Sequence, residues 1–447
     1  MNTRRSLLQF LGGSLAASFV PWRALADGST ASSEDFFIFV HASGGWDVML
    51  STDPRNTRTG LIEPPHSGNM TKTGIRLWTD APLGDGNSSF QLVQPKGSNI
   101  VFGPAIGNLS NYASRMTLFN GLAMNTVSHP DGTIFAATGR HLAGGRVPAS
   151  SVDTIIASEL GTSQLLPLVS IRFPSYAVDG IDPRAIPLKV DSIGAIGKVL
   201  TRSTKYSTVA TRDAVTMMLS AEAKDLAKEA FYPEPQANFG LQLDALRGIL
   251  SGNLKDAFTD ATLKAKYPSF AYTGTSQAVG AINAAFALEA MQRNISRCLS
   301  FAFSGFDTHT DNYDDHATSQ QDMFDTIAEL VKQLDSTPHP TKTGKKLADH
   351  THILIVSEFC RTPQINLLGG RDHYPNNSAI IISPKFKGNT VIGSSDKDQL
   401  LPTAARTFAS GARAPAPPDI LSTLLSSAGI EPSTFVRDGE IMKEILV

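Results

Sequence analysis

Six short runs of apolar, β-branched or aromatic residues recur along this chain, at Phe36 to His41, Met116 to Leu122, Leu168 to Phe173, Cys298 to Phe303, His352 to Val356 and Ala379 to Ser383. Each has the length of a strand and lacks the polar alternation of a half-solvated one, so each predicts a strand buried on both faces. Patterns of helical period lie between them. Thr318 to Leu334 is the clearest, with Met323, Phe324, Ile327, Leu330, Val331 and Leu334 on one face. Arg212 to Phe231 and Ser276 to Asn294 are alanine-rich stretches of helical length. Strands alternating with helices predict an α/β fold, a mainly parallel central sheet with helices on both faces. No long linker divides the chain and no repeat of solenoid length is visible. Asn56 to Asn99, rich in Gly, Pro, Ser and Thr, reads as an irregular surface excursion, and 193–277 as a helical insertion or cap.

The opening residues, MNTRRSLLQFLGGSLAASFVPWRALAD, pair Arg4 with Arg5, follow them with a short apolar run and offer Ala24-Leu25-Ala26 to signal peptidase. The run from Ser6 to Val20 is too short for a permanent span. These features predict a twin-arginine signal over 1–26, cleavage after Ala26, and a periplasmic or secreted protein that meets the twin-arginine translocase during export. Substrates of that pathway cross folded, often with a metal already inserted.

Cleavage there removes Arg4, Arg5 and Arg23 and no acid, moving the formal charge from −2 to −5. Such a chain offers no basic surface for nucleic acid. With two cysteines, Cys298 and Cys360, it has neither a disulfide scaffold nor a cysteine zinc cluster. A single Cys298–Cys360 bridge stays open as an alternative to two buried thiols.

Ligands of parallel sheets sit at the carboxyl ends of the strands, so the polar residues that follow apolar runs carry the functional signal. Four places stand out: FIFVHASGGWD, ending in Asp47; NTVSHPDG, with Ser128, His129 and Asp131; FAFSGFDTHTD, with Asp307, His309 and Asp311; and SEFCRTPQINLLGGRDHYP, with Glu358, Arg361, Arg371, Asp372 and His373. Carboxylates and imidazoles suit a divalent cation, and such a cation can hold and polarise an anionic ester. Any one of them has a structural reading: Asp47 as a helix cap, Ser128 as an N-cap with Asp131 in the first turn, Arg361 paired with Glu358. A shared site accounts for all four together. Arg361 and Arg371 are candidates to clamp an anion. Cys360 is set aside as a nucleophile, since a lone periplasmic thiol is open to oxidation.

The Gly-Gly-x-Asp after the first strand, the Ser-His after NG, GFDTH before a long helix, SEF-x-RTP after a strand and GRDH beyond it resemble, in order and with the signal, a bacterial family of twin-arginine-exported proteins placed in the alkaline phosphatase and sulfatase superfamily. The resemblance spans nearly the whole mature chain, and implies an alkaline-phosphatase-like domain over 27–447. It implies Asp47 as first metal ligand, Ser128 as nucleophile with His129 and Arg361 beside it, and Thr133 as a fallback hydroxyl. Asp307, His309, Glu358 and His373 would complete the ligands. The metal would be Zn, Mn, Mg or Ca. Asp307 and His309 stand closer than the usual Asp-x-x-x-His, and Phe359 replaces an imidazole; both departures point to one metal, or none, rather than two.

Two functions follow as expectations. One is a metal-dependent hydrolase of a small phosphate or sulfate ester. The other is a non-catalytic binding or assembly factor of the cell envelope, acting with another exported protein, a partner that the resemblance implies. Fold alone does not choose between them.

Overall fold

Phe36–Ala42 forms β1, buried on both faces at the middle of the sheet. The computed structural model describes residues 34–64, 92–178, 180–200, 257–272 and 275–447. The expected signal, the helix at 212–231, and most of the expected excursion and insertion lie outside those residues. In chain order the strands of the sheet and site that follow are β2 (Met116–Asn120), β3 (Leu168–Ile171), β4 (Leu188–Val190), β5 (Cys298–Phe303), β6 (Thr351–Ser357), β7 (Cys360–Arg361), β8 (His373–Tyr374), β9 (Ser378–Ile382) and β10 (Thr390–Ile392), with a separate hairpin of Arg406–Phe408 and Gly411–Arg413 beyond them. Eight of them form one sheet in the order β10-β2-β9-β6-β1-β5-β3-β4. Only β9 runs against its neighbours, pairing antiparallel with β2 and β6. All six apolar runs are strands, and the sheet is mainly parallel as the alternation predicts.

Alternate side chains of β1 enter two cores. Phe36, Ile38 and Val40 pack with Ala284, Leu288, Met323, Phe324 and Ile327, from α3 (Thr275–Gln292) and α4 (Ala317–Ser336). Phe37 and Phe39 pack on the other face with α1 (His129–Thr138), α2 (Val152–Leu160) and α5 (Pro417–Ser427). A fully buried Phe or Leu contributes about 1.5–3 kcal/mol, so this two-sided burial fixes β1 as the centre of the sheet. The predicted face of α4 is the one it buries. Cys298 and Cys360 are buried free thiols.

Register sets the site. Ala42 of β1 lies opposite Phe303 of β5 and Ser357 of β6, so the three chains leave the carboxyl edge level with one another. β9 starts at that edge, which brings the residues before it, His373 among them, to the same place. Gly44 and Gly45 follow β1 with φ of +123° and +85°, and a Cβ on Gly44 would come within 2.4 Å of the Asp307 backbone nitrogen. Only glycine lets these two loops meet. At the opposite edge Asp35, ahead of β1, pairs with Lys385, beyond β9. The Val447 backbone N–H donates to the Lys385 carbonyl, so Val447 lies at that edge too.

Candidate metal centre

His129 opens α1, with Ser128 as a cap residue whose hydroxyl makes no capping bond. Gly132, one turn on, packs so tightly on the end of β6 that a Cβ would stand 2.5 Å from the Glu358 carbonyl oxygen. That contact brings the His129 ring over the carboxyl edge. Asp307 and His309 follow β5, and His373 enters through the β7–β8 ribbon, which pairs Arg361 with His373.

Three imidazoles converge on one carboxylate oxygen. Asp307 Oδ1 lies 3.4 Å from His129 Nε2, 3.1 Å from His309 Nε2 and 3.4 Å from His373 Nε2. His309 Nε2 and His373 Nε2 are 3.1 Å apart. Every Nδ1 is engaged elsewhere: His129 Nδ1 with Glu358 Oε1 at 2.9 Å, His309 Nδ1 with Asp372 Oδ1 at 2.7 Å, and His373 Nδ1 with the Val127 carbonyl at 2.8 Å. Those acceptors require the hydrogen on Nδ1, so each neutral ring turns a bare Nε2 lone pair inward. Lone pairs facing a carboxylate and each other repel unless a metal ion or a proton lies among them. His129 Nε2 is buried without a hydrogen-bond partner.

The donor set fits a metal ion. Nitrogen and oxygen donors held about 2.0–2.1 Å from a tetrahedral zinc are roughly 3.3–3.4 Å apart; His129, Asp307 and His373 offer atoms that all lie within 4.8 Å of one another, while His309 adjoins Asp307 and His373 outside that group. Carboxylates or carbonyls gripping each Nδ1 are the usual outer support of a metal-bound histidine. Charge agrees. Asp307, Glu358 and Asp372 against Arg361 leave two negative charges, which a divalent ion neutralises. Two imidazoles and one carboxylate, with the His309 ring adjoining, suit Zn or Mn; Mg and Ca prefer oxygen throughout.

The surroundings tune these groups. The hydrogen bond to Glu358 raises the pKa of His129, against desolvation. Burial lowers that of His373. For Asp307, burial raises the pKa, but the Arg361 hydrogen bond and charge prevail and hold it below the ordinary value. The Phe359 ring lies against His129 and His373 at 4.9 and 4.6 Å and forms a wall of the cluster.

Other expected ligands and clamps are placed differently. Asp47 is fully buried and committed: it accepts from Met49 N at 2.9 Å and Asn312 Nδ2 at 2.8 Å, and Arg371 Nε lies 3.1 Å away. The short 3-10 turn Val48–Leu50, which it caps, turns its carboxylate away from the histidines. Glu358 stands behind His129, outside the ligand cluster. Arg361 is buried, and its guanidinium is spent on the Gly44, Gly45 and Arg371 carbonyls and Asp307 Oδ1. It braces Asp307 rather than facing a substrate. Arg371 is likewise buried, donating to the Thr362 and Glu63 carbonyls and Tyr313. Ser128 is exposed and lies outside the lining of the neighbouring cavity. That cavity, about 1020 Å³, opens beside the cluster and is lined by His129, Thr133, Tyr176, Asp307, Thr308 and Asp322 among others. His41, hidden inside the first apolar run, belongs to the site's surroundings too; its only sequence signal is an imidazole among Phe and Val.

Fold and site together define an α/β protein with a candidate single-ion centre at the carboxyl edge of its sheet. The chain belongs to the family described as "Protein of unknown function (DUF1501)", whose model matches residues 35–440. No curated protein matches it. The lipoteichoic acid synthase LtaP of Listeria monocytogenes is similar at 9% identity and a TM-score of 0.33, over 98% of this chain and 79% of that one. A 4S-sulf protein of Bacteroides thetaiotaomicron glycosaminoglycan metabolism is similar at 9% identity and a TM-score of 0.32, over 89% and 73%. Likenesses this slight bear on neither fold nor chemistry.

Proposed function

We propose that this chain is a metal-dependent hydrolase of phosphate or sulfate esters, alkaline-phosphatase-like in fold, exported by the twin-arginine pathway to work outside the cytoplasm. The observation that carries the reading is the gathering of His129, His309 and His373 Nε2 about Asp307 Oδ1 while every Nδ1 is engaged. A divalent cation would be held by His129, Asp307 and His373, with His309 adjoining, and would supply Lewis-acid charge to an anionic ester. The chain does the rest. Arg361 fixes Asp307; Glu358, Asp372 and the Val127 carbonyl fix the three rings. The adjoining cavity admits the ester, with the Thr133 hydroxyl at its wall as a hydrogen-bond donor. Ser128 lies outside that lining, so water is the attacking group: its oxygen bonds to phosphorus or sulfur, the ester bond breaks, and a proton goes to the departing alcohol.

One observation favours a second reading, a non-catalytic binding or assembly factor that works with an exported partner. Arg361 and Arg371 are buried and spent, and among the described residues no Lys or Arg lines the cavity to grip an anion. Elemental analysis of protein from the periplasm, joined to turnover of generic phosphomonoester, phosphodiester and sulfate ester substrates, separates the two. The hydrolase reading expects about one divalent ion per chain and turnover of at least one class that chelation abolishes. Metal-loaded protein inert on all three classes selects the binding factor, and metal-free protein defeats the metal centre itself.

A further inference from the structure

His41 has no part in the chemistry above, yet the fold keeps it where an apolar residue would pack with less cost. It is 3% exposed, on the face of β1 that meets α1 and α2. Phe39, Ala136, Val152, Phe173 and Leu354 line the small void beside it, and the Phe173 ring meets its imidazole edge-on. A polar ring in such surroundings costs stability unless something uses it. What it faces is Glu358: His41 Nε2 lies 3.3 Å from Oε2, without a well-aligned hydrogen bond.

Glu358 is itself 2% exposed and among the described residues pairs with no lysine or arginine. Its Oε1 accepts from Gly44 N at 2.7 Å and His129 Nδ1 at 2.9 Å; its Oε2 meets the Ser357 hydroxyl at 2.9 Å and His41. The carboxylate thus spans two imidazoles, one in the cluster and one in the core. Without His41 the carboxylate is held by Gly44, His129 and Ser357 alone, its core side opens, and the direction of the His129 ring is less firmly set.

We propose that His41 is a positioning residue, which through Glu358 sets the orientation of the His129 ring and with it the affinity of the cluster for its metal. The inference rests on the metal reading above and adds a residue that touches neither metal nor substrate. Support of this kind is commonly worth about 10- to 100-fold in metal affinity.

The test is Zn²⁺ affinity, by competition with a chromophoric chelator, for wild type, His41→Phe, Glu358→Gln and the double variant, with the far-ultraviolet spectrum and melting of each metal-free protein alongside. His41→Phe is expected to weaken Zn²⁺ about tenfold with the fold retained. The double variant is expected to bind no more weakly than Glu358→Gln alone, because His41 acts only through that carboxylate. His41→Gln, which keeps an N–H donor, is expected to stay within about threefold of wild type and serves where His41→Phe does not fold. Wild-type affinity in His41→Phe, additive losses in the double variant, or a His41→Gln chain that folds but binds ten times more weakly overturns the proposal. A wild type that binds no Zn²⁺ or Mn²⁺ overturns the metal reading beneath it.

Discussion

A neutral imidazole has one hydrogen, and in His129, His309 and His373 it is committed at Nδ1. What remains is three lone pairs and a carboxylate in one small space, a repulsion that bound metal turns into attraction. Metal at a hundredfold excess over its dissociation constant should therefore stabilise the fold by about 3 kcal/mol. Chelation is expected to lower the melting temperature of wild type and to leave that of His373→Ala unchanged. Equal indifference of both proteins to chelator would mean a polar loop without metal. Asp47 calls for the opposite experiment. Asp47→Asn keeps the shape but strips buried Arg371 of its counter-charge, at a cost of about 3–5 kcal/mol in denaturant titration, with metal content expected to hold. Loss of metal at unchanged stability would return Asp47 to the ligand set.

α1 is the element on which the centre turns, because its first residue is a cluster member and its fourth touches the end of β6. Gly132→Ala places a methyl 2.5 Å from the Glu358 carbonyl oxygen, so α1 must shift. The expected loss is about 1–3 kcal/mol, with metal affinity falling beside it; a stable variant of unchanged affinity would show that α1 can move without disturbing His129. The buried strands were legible as apolar runs because a strand covered on both faces needs nothing else. The edge strands β4 and β10 and the hairpin of Arg406–Phe408 with Gly411–Arg413 are three residues long each, too short to show a period. For the site, the rule that ligands follow parallel strands finds the right edge, and Asp307, His309 and His373 meet there. It cannot tell which way a side chain turns. The turn after Asp47 swings its carboxylate to Arg371, and the backbone carbonyls after β1 draw Arg361 inward. Ser128 and His129 are neighbours in sequence, yet the helix start sends one outward and the other into the cluster.

At the scale of the whole molecule, two buried carboxylates, Asp35 and Glu358, weaken the fold in acid, and buried Asp153, whose pKa burial raises, works against them. Burial disfavours charge on Asp35, but hydrogen bonds from His352, Lys385 and His350 prevail; at Glu358 burial is outweighed by His41 and His129. Both pKa values lie below those of unfolded carboxyls, so their stabilisation is present above about pH 4 and is lost as pH falls through the depressed native values. The urea midpoint is expected to hold between about pH 7 and 5 and to fall below about pH 4, and a midpoint that rises on acidification would contradict this. Export belongs to the same scale: Arg4→Lys with Arg5→Lys is expected to keep the protein in the cytoplasm, since lysine does not reproduce the paired guanidinium forks. Undiminished periplasmic yield would mark the signal as a general secretory one.

Asp35 and Val447 meet around Lys385 on the edge away from the histidines, and the seven residues of β1 set about 23 Å between the two edges. A bead, sensor chip or fusion partner joined at Val447 would hold the molecule by its back. The cavity of the described residues would then face the liquid, and immobilised copies would share one orientation toward solute.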